Sequence, residues 1–174
     1  MWFLVFFVSQ KNRMKKLIII FICFYSLPTF SQEIKSVKIT DLEKIITESK
    51  SPLIVSMWAT WCKPCLEELP YFLEEVKKRN EKNDSIQILL VSLDFKEDYP
   101  SGIRSFAKKR KIDAPIVWLD ETNADYFCPK IDQKWSGGIP ATLFINNRTG
   151  YRNFIEEKIK HDDFKEDIKK VLNK

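Results

Sequence analysis

Residues 58–65 read Trp-Ala-Thr-Trp-Cys-Lys-Pro-Cys, and most of what the sequence predicts about the fold follows from this stretch. A short, mostly apolar run at residues 53–58 is typical of a buried central strand, and a helical pattern begins at Cys62. Two cysteines at the start of a helix suit reversible thiol–disulfide exchange, because one sulfur lies exposed at the helix N-terminus and the other lies within its reach. We therefore expect a redox pair in which Cys62 is exposed and Cys65 is less exposed.

Outward from the cysteine pair, strand patterns and helix patterns alternate along the chain. Residues 147–150, Asn-Arg-Thr-Gly, predict a tight turn that joins the last two strands into an antiparallel hairpin. Residues 121–138 carry no regular pattern, and residues 32–50 predict an N-terminal strand and a helix from Asp41. This order predicts an α/β fold with a mixed central sheet and helices on both faces. The predicted strands span residues 53–58, 86–94, 116–119, 141–145 and 151–155, and the predicted helices span residues 62–80, 101–111 and 162–172.

The N-terminus has the pattern of an export signal. A basic stretch at residues 11–16 is followed by an apolar core at residues 17–27 and by a small-x-small cleavage site at residues 29–31. We predict a signal peptide over residues 1–31, with Met14 as an alternative start, and hence a periplasmic or otherwise extracytoplasmic protein. The alternative is an uncleaved, membrane-tethering anchor, although the apolar core is shorter than the roughly 20 residues that span a bilayer.

The positive charge of the chain lies largely in this segment. The 174 residues carry a net charge of +5, and residues 1–31 hold four basic and no acidic side chains, so residues 32–174 carry +1. That balance does not predict nucleic-acid binding, and the length predicts one domain over residues 32–174. Three cysteines remain in a compartment that the signal predicts to be oxidising, and we expect the unpaired Cys128 to be buried rather than bonded to a partner.

Three motifs in a fixed order give the chain a resemblance to a known family. The Trp-Cys-x-x-Cys segment follows the first central strand, residues 67–70 read Glu-Glu-Leu-Pro, and residues 138–142 read Gly-Ile-Pro-Ala-Thr just before the hairpin. With the export signal, these features resemble the exported TlpA/ResA-like thiol–disulfide oxidoreductases of the thioredoxin superfamily. The resemblance covers residues 35–174 and implies a thioredoxin fold with an N-terminal extension and a central strand–helix insert.

The cysteine motif predicts how the exchange proceeds. The free amides and the dipole at a helix N-terminus favour a thiolate at Cys62, and Lys63 adds a positive charge beside it. We therefore predict that Cys62 is the attacking nucleophile and that Cys65 resolves the mixed disulfide formed with a protein substrate. Pro64 restricts the backbone between the two sulfurs, and Trp61 flanks the attacking sulfur as part of a substrate-binding surface.

Ile139 and Pro140 are the predicted substrate side of the site. The peptide bond between them is a candidate for the cis form, which persists mostly at X–Pro bonds. In the resembling family this loop packs beside the cysteines, keeps metal ions from the thiols and pairs its backbone with the substrate, which implies that Ile139 contacts the client. The alternative is an ordinary trans proline that opens a strand.

Glu68 is the predicted proton acceptor. It lies three residues after Cys65 on the same helix face, where a partly buried carboxylate with a raised pKa can take the proton of that thiol. A glutamate at this offset is also a feature of the ResA-like proteins, whereas Glu67 points about 100° away and is expected to be solvated. Ser56 stands where cytosolic thioredoxins have a buried aspartate, so that proton route is absent. The alternative is that both glutamates are surface charges.

Together these features predict an exported, monomeric thiol–disulfide oxidoreductase that reduces protein disulfides. The resemblance implies clients such as apocytochrome c cysteines, as in cytochrome c maturation, and electrons from a membrane redox donor. No cofactor beyond the redox pair and no metal are expected, since Cys128 and His161 do not complete a zinc site. The alternatives are a disulfide oxidase or isomerase, a copper-binding assembly factor, a non-catalytic partner-binding module and a peroxide reductase.

Overall fold

The strand that precedes the cysteine pair lies at the centre of the structure, as its apolar sequence predicts. The computed structural model describes residues 33–173, so the signal peptide expected over residues 1–31 lies outside the described residues. All six residues of the central strand, Leu53–Trp58, are buried. A strand buried on both faces needs helices on each side of the sheet.

Six strands in the described part of the chain form one mixed sheet. The strands are β1 (Lys35–Val37), β2 (Leu53–Trp58), β3 (Gln87–Ser92), β4 (Ile116–Leu119), β5 (Ala141–Asn146) and β6 (Tyr151–Ile155). Their spatial order is β1-β4-β3-β2-β5-β6. The first four in that order are parallel to one another, whereas β5 is antiparallel to both β2 and β6. The register places Met57 opposite Ala141 and Trp58 opposite Ser92.

Helices cover both faces of this sheet. They are α1 (Ile39–Thr47), α2 (Lys63–Asn80), α3 (Ser101–Arg110), α4 (Ala124–Ile131) and α5 (His161–Leu172). Side chains alternate along β2, so Ile54 and Trp58 join the core with α2, α3 and α5, whereas Val55 and Met57 join the core with α1 and α4. The predicted mixed sheet with helices on both faces is confirmed. Within residues 33–173, no helix combines the length and the apolar character needed to cross a bilayer.

Two local predictions need correction. The segment 121–138 is not wholly irregular, because α4 forms within it and buries Phe127, Cys128 and Ile131. These residues share one helical face, and burying them offsets the free-energy cost of the backbone hydrogen bond that Pro129 cannot donate. Helix α1 begins at Ile39 instead of Asp41, because Asp41 lies in its first turn and accepts a hydrogen bond from the backbone N–H of Lys38. β4 and α4 lie between the cysteine helix and the proline loop, where the sequence analysis expects a strand–helix insert.

Replacing Phe164 with alanine is expected to lower the free energy of unfolding by about 3–5 kcal/mol. The ring of Phe164 in α5 stacks on that of Phe72 in α2 with 3.7 Å between centroids, and both side chains are fully buried. Urea denaturation measures the effect. The matched control is Ile45→Ala, at a side chain that is 40% exposed, which is expected to cost less than about 1 kcal/mol. Equal losses in the two variants would contradict this prediction.

Candidate active site

The two cysteines lie where β2 ends and α2 begins. Cys62 is the residue that caps α2, and its sulfur accepts a hydrogen bond from the backbone N–H of Cys65 at 3.3 Å. The two residues are joined by a disulfide with their Cα atoms 5.3 Å apart. A sulfur at this position faces the unpaired amides of the first helical turn, which favour negative charge on it when the disulfide is reduced.

The expected exposure of Cys62 is wrong for the disulfide form. Cys62 is 4% exposed and Cys65 is 1% exposed, so the order of exposure holds but both residues are buried. The disulfide directs the sulfur of Cys62 toward Cys65, and both belong to the core that β2 shares with α2. Their neighbours Trp61, Lys63 and Pro64 are exposed and form the surface around the pair.

The proline loop reaches the cysteine pair through the pairing of β2 with β5. Because Met57 lies opposite Ala141, Pro140 is placed beside the end of β2, next to the residues that lead into Cys62. The Ile139–Pro140 peptide bond is cis, as the sequence predicts. Pro140 is buried, and Ile139 is half-buried and packs against the core that contains the two cysteines. The structure therefore brings the two distant motifs together at the carboxyl end of β2.

Glu156, which the sequence analysis did not single out, holds the proline loop. Its carboxylate accepts hydrogen bonds from the backbone N–H of Ser136 at 2.9 Å, from the backbone N–H of Gly138 at 2.7 Å and from the Ser136 hydroxyl. The indole N–H of Trp135 donates to the Gly138 carbonyl at 2.8 Å. A Cβ at position 138 would lie 2.8 Å from Glu156 Oε1, so any larger residue there would require the Glu156 carboxylate to shift away from the loop.

Glu68 is fully buried beside the redox pair, one helical turn after Cys65. Its Oε2 accepts a hydrogen bond from the backbone N–H of Ile159 at 3.1 Å, and its Oε1 has no hydrogen-bond partner within residues 33–173. Burial raises the pKa of Glu68 to about 7, and it outweighs the opposing effects of the Ile159 amide and the Lys158 charge. The carboxyl therefore titrates in the range where a proton acceptor for a thiol is useful.

Glu67 differs from Glu68 in the way that the helix geometry predicts. Its side chain is exposed and forms an ion pair with Lys158, whose hydrogen bond lowers the pKa of Glu67. Lys158 and Ile159 belong to residues 156–160, which we call the β6–α5 connector. The connector also carries Glu156, so one short segment contacts both the cysteine helix and the proline loop.

Asp94, a second residue that the sequence analysis missed, fixes the turn before the cysteines. Its Oδ1 accepts hydrogen bonds from the backbone N–H of Thr60 at 2.9 Å and from the Thr60 hydroxyl at 2.6 Å. Its Oδ2 accepts from the Ser92 hydroxyl at 2.7 Å, and its carbonyl accepts from the Trp118 indole at 2.7 Å. An acidic residue just after a buried strand was the available signal, but its partner Thr60 lies 34 positions away.

The remaining sequence candidates lie outside this arrangement. Cys128 is free and buried, as expected, and burial raises the pKa of its thiol to about 11. His161 begins α5, where its Nε2 lies 3.2 Å from Glu75 Oε1. Ser56 is buried and supplies no carboxyl group to the site. Among residues 33–173, no three His, Cys, Asp or Glu side chains group closely enough to hold a metal ion.

The chain is similar in sequence to known redox proteins. Residues 25–150 match the model of the AhpC/TSA family. Thiol–disulfide oxidoreductase ResA of Bacillus cereus (strain ZK / E33L) is 29% identical over 140 residues, which are 78% of this chain and 72% of that protein. Thioredoxin-like protein YneN of Bacillus subtilis (strain 168) is 32% identical over 104 residues, which are 59% of this chain and 54% of that protein.

Solved structures share the fold. A thioredoxin-related protein from Neisseria meningitidis serogroup B superposes with a TM-score of 0.59 at 25% identity, over 71% of this chain and 87% of its own. StoA from Bacillus subtilis superposes with a TM-score of 0.54 at 23% identity, over 71% and 86%. The fold and the disulfide thus define a thioredoxin-fold thiol–disulfide oxidoreductase. The chain belongs to the AhpC/TSA family, and it is a TlpA/ResA-like member of the thioredoxin superfamily.

Glu156→Gln is expected to lower the free energy of unfolding by about 1–3 kcal/mol near neutral pH, because the new amide nitrogen cannot accept from a backbone N–H of the loop. Burial raises the pKa of Glu156, but the hydrogen bonds from Ser136 and Gly138 outweigh it and hold the pKa below the usual 4.5. The carboxylate therefore stabilises the fold above the unfolded-state pKa, and this contribution is lost as the pH falls through the lower folded-state pKa.

Urea unfolding across that acidic range measures this effect for the wild type and for Glu156→Gln. The stability difference between them is expected to shrink as the pH falls. Glu157→Gln is the matched control, because Glu157 is an exposed neighbour whose replacement is expected to change stability by less than about 0.5 kcal/mol. A difference that stays constant with pH would show that the charge of Glu156 does not hold the loop.

Proposed function

We propose that the protein is an exported reductase of protein disulfides. The observation that carries this proposal is the fully buried Glu68 carboxyl, with its pKa near 7, one helical turn from Cys65. A static structural bridge gains nothing from a buried ionisable group beside it, whereas a resolving thiol needs a proton acceptor. The pairing of β2 with β5 supports the same function, since it places Ile139 and Pro140 beside the end of β2 that leads into Cys62.

The first half of the reaction uses the reduced dithiol. The Cys62 thiolate attacks one sulfur of a client disulfide, so a Cys62–client bond forms, the client S–S bond breaks and a client thiolate leaves. The free amides at the start of α2 favour the thiolate, and Lys63 adds a positive charge beside it. Pro64 lies in the first turn of α2 and restricts the backbone between the two cysteines, and Cys65 is only three residues from Cys62.

The second half of the reaction releases the client. Cys65 gives its proton to the Glu68 carboxylate and attacks the Cys62 sulfur, which forms the Cys62–Cys65 disulfide and expels the second client thiolate. Two electrons have then passed from the protein to the client. Return to the dithiol requires a two-electron donor, and we assign that role to a membrane redox partner on the outer side of the cytoplasmic membrane.

The substrate-side residues surround the pair on the surface. Ile139 precedes the cis proline, and its backbone offers a strand edge for the client, while Pro140 is buried and shapes the loop. Trp61, Lys63 and Pro64 are exposed around Cys62. We propose that a client segment lies between these two groups, with its disulfide over Cys62.

The cellular setting is part of the proposal. The signal-peptide pattern of residues 1–31 supports export of a domain that spans residues 32–174 as a monomer. In an oxidising compartment, a dithiol reductant acts on particular protein disulfides. The proposed clients include the apocytochrome c cysteines, which must be thiols before haem attachment. The similarity to proteins named thiol–disulfide oxidoreductase ResA supports this setting.

Glu68→Gln is expected to slow resolution of the mixed disulfide by roughly a hundredfold at a pH above 7, as expected for the loss of a positioned base. The rate of the wild type is expected to rise as Glu68 ionises near its pKa of about 7, and the variant is expected to lack this step. Single-turnover release of a client thiol, followed against pH by stopped flow, measures both.

Glu67→Gln is the matched control, because Glu67 occupies the adjacent position but is exposed and paired with Lys158. It is expected to retain the wild-type pH profile. Identical profiles for wild type and Glu68→Gln would remove Glu68 from the mechanism.

The reduction potential of the pair decides the direction of electron flow. We expect a value of about −270 mV, that of thioredoxin, for residues 32–174 carrying Cys128→Ser. Equilibrium titration against a thiol buffer measures it, and Cys128→Ser removes exchange at the buried free thiol. A value of about −120 mV would instead indicate a disulfide oxidase, and a pair that cannot be oxidised and reduced in turn would leave only the binding-module function.

A further inference from the structure

Two exposed aromatic rings lie against each other beside the redox pair. Trp61 is 55% exposed and Phe95 is 65% exposed, and their rings stack with 5.9 Å between centroids and 22° between planes. Among residues 33–173, the other large hydrophobic side chains with comparable exposure are Ile45 and Tyr126, which lie in α1 and α4 on the other face of the sheet. Exposed apolar surface that adjoins a reactive group marks a contact with another molecule.

The backbone beneath this pair is fixed. Trp58 lies opposite Ser92 in the sheet, and the backbone N–H of Leu93 donates to the Trp58 carbonyl at 2.8 Å. Two residues further along each segment, Thr60 donates two hydrogen bonds to Asp94. Trp61 and Phe95 follow directly, so their stacking continues the pairing of β2 and β3 beyond the sheet.

Asp94 itself has little freedom to move. It is buried, and it is held by the Ser92 hydroxyl and the Trp118 indole as well as by Thr60. The ring pair is thus built on a rigid base before any client arrives. A preorganised aromatic surface binds with a smaller loss of conformational entropy than a mobile one.

The position of the rings determines what can cover them. In the sheet order, β2 lies between β3 and β5, so Phe95 and Ile139 lie on opposite sides of the cysteine pair. Trp61 precedes Cys62 directly. The rings of Trp61 and Phe95 therefore lie where a client whose disulfide reaches Cys62 can place the residues beside its cysteine.

We propose that Trp61 and Phe95 form an aromatic platform that binds an apolar or aromatic side chain next to the reacting cysteine of a client. This proposal rests on the proposed function and narrows its substrate class to protein disulfides with such a neighbour. An aromatic side chain suits the platform, since ring pairs gain free energy beyond the area that they bury. A client with small polar neighbours leaves the two rings in water.

The test compares two synthetic peptide disulfides in exchange with the reduced protein. Each is a disulfide-linked peptide dimer, identical except that the cysteine is flanked on both sides by phenylalanine in one and by serine in the other. Wild type is expected to react with the phenylalanine peptide roughly tenfold faster, measured as the second-order rate constant for oxidation of the reduced protein. Phe95→Ala is expected to reduce that ratio to about twofold. Phe95→Tyr, which keeps an aromatic ring, is expected to keep the wild-type ratio.

A ratio isolates the platform, because a general loss of activity or folded protein changes both rates equally. Tyr126→Ala is the matched control, since Tyr126 is an exposed aromatic residue of α4 on the other face of the sheet. It is expected to keep the wild-type ratio. A wild-type ratio within about twofold of one, or a ratio that Phe95→Ala leaves unchanged, overturns the proposal.

The outcomes also separate this inference from the function on which it rests. If wild type exchanges with both peptides at equal rates, the reductase function stands and only the platform is wrong. If the reduced protein exchanges with neither peptide, the proposed function fails and the platform fails with it. A wild-type dimer in light scattering that dissociates in Phe95→Ala would show that a second copy covers the rings, which overturns the client proposal.

Discussion

The backbone pairing of β2 with its two neighbours is the constraint on which the site depends. β2 is buried throughout, so its register cannot slip without moving polar backbone and apolar side chains into the wrong environments. The pairing of Met57 with Ala141 brings the proline loop to one side of the cysteines. The pairing of Trp58 with Ser92 brings Asp94 and the residues after it to the other side. The cysteine motif, the proline loop and the segment after β3, which are far apart in sequence, thus meet at the carboxyl end of β2.

The β6–α5 connector links the two halves of the site. At its start, Glu156 holds the proline loop through two backbone amides and a hydroxyl. Near its end, the backbone N–H of Ile159 donates a hydrogen bond to Glu68, and the backbone carbonyl of Ile159 accepts one from the Tyr71 hydroxyl. Both backbone polar groups of Ile159 are therefore hydrogen-bonded. A displacement of the connector would therefore change the proline loop and the environment of Glu68 together.

The carboxyl of Glu68 imposes a cost on the fold. Its ionised form is buried with one backbone donor, and burial is the main cause of its raised pKa. Because that pKa of about 7 lies above the unfolded-state value of 4.5, the folded state favours the protonated form. Ionisation of Glu68 then reduces stability as the pH rises between these values. An ionisable group that lowers stability in this way beside a redox pair points to a chemical role for Glu68 rather than a structural one.

Local pattern and spacing in the sequence were sufficient to predict the central strand, the cysteine helix, the hairpin and the helix face that carries Glu68. These features depend on residues a few positions apart, for which periodicity and chain stiffness are direct guides. The tertiary structure alone decided the burial of Cys62, the formation of α4 and the contacts of Glu156, Asp94 and Phe95. Glu156 meets Gly138 across 18 positions, and Asp94 meets Thr60 across 34. Such pairs have no local signature, because strand register and packing, rather than sequence spacing, bring their atoms within hydrogen-bond distance.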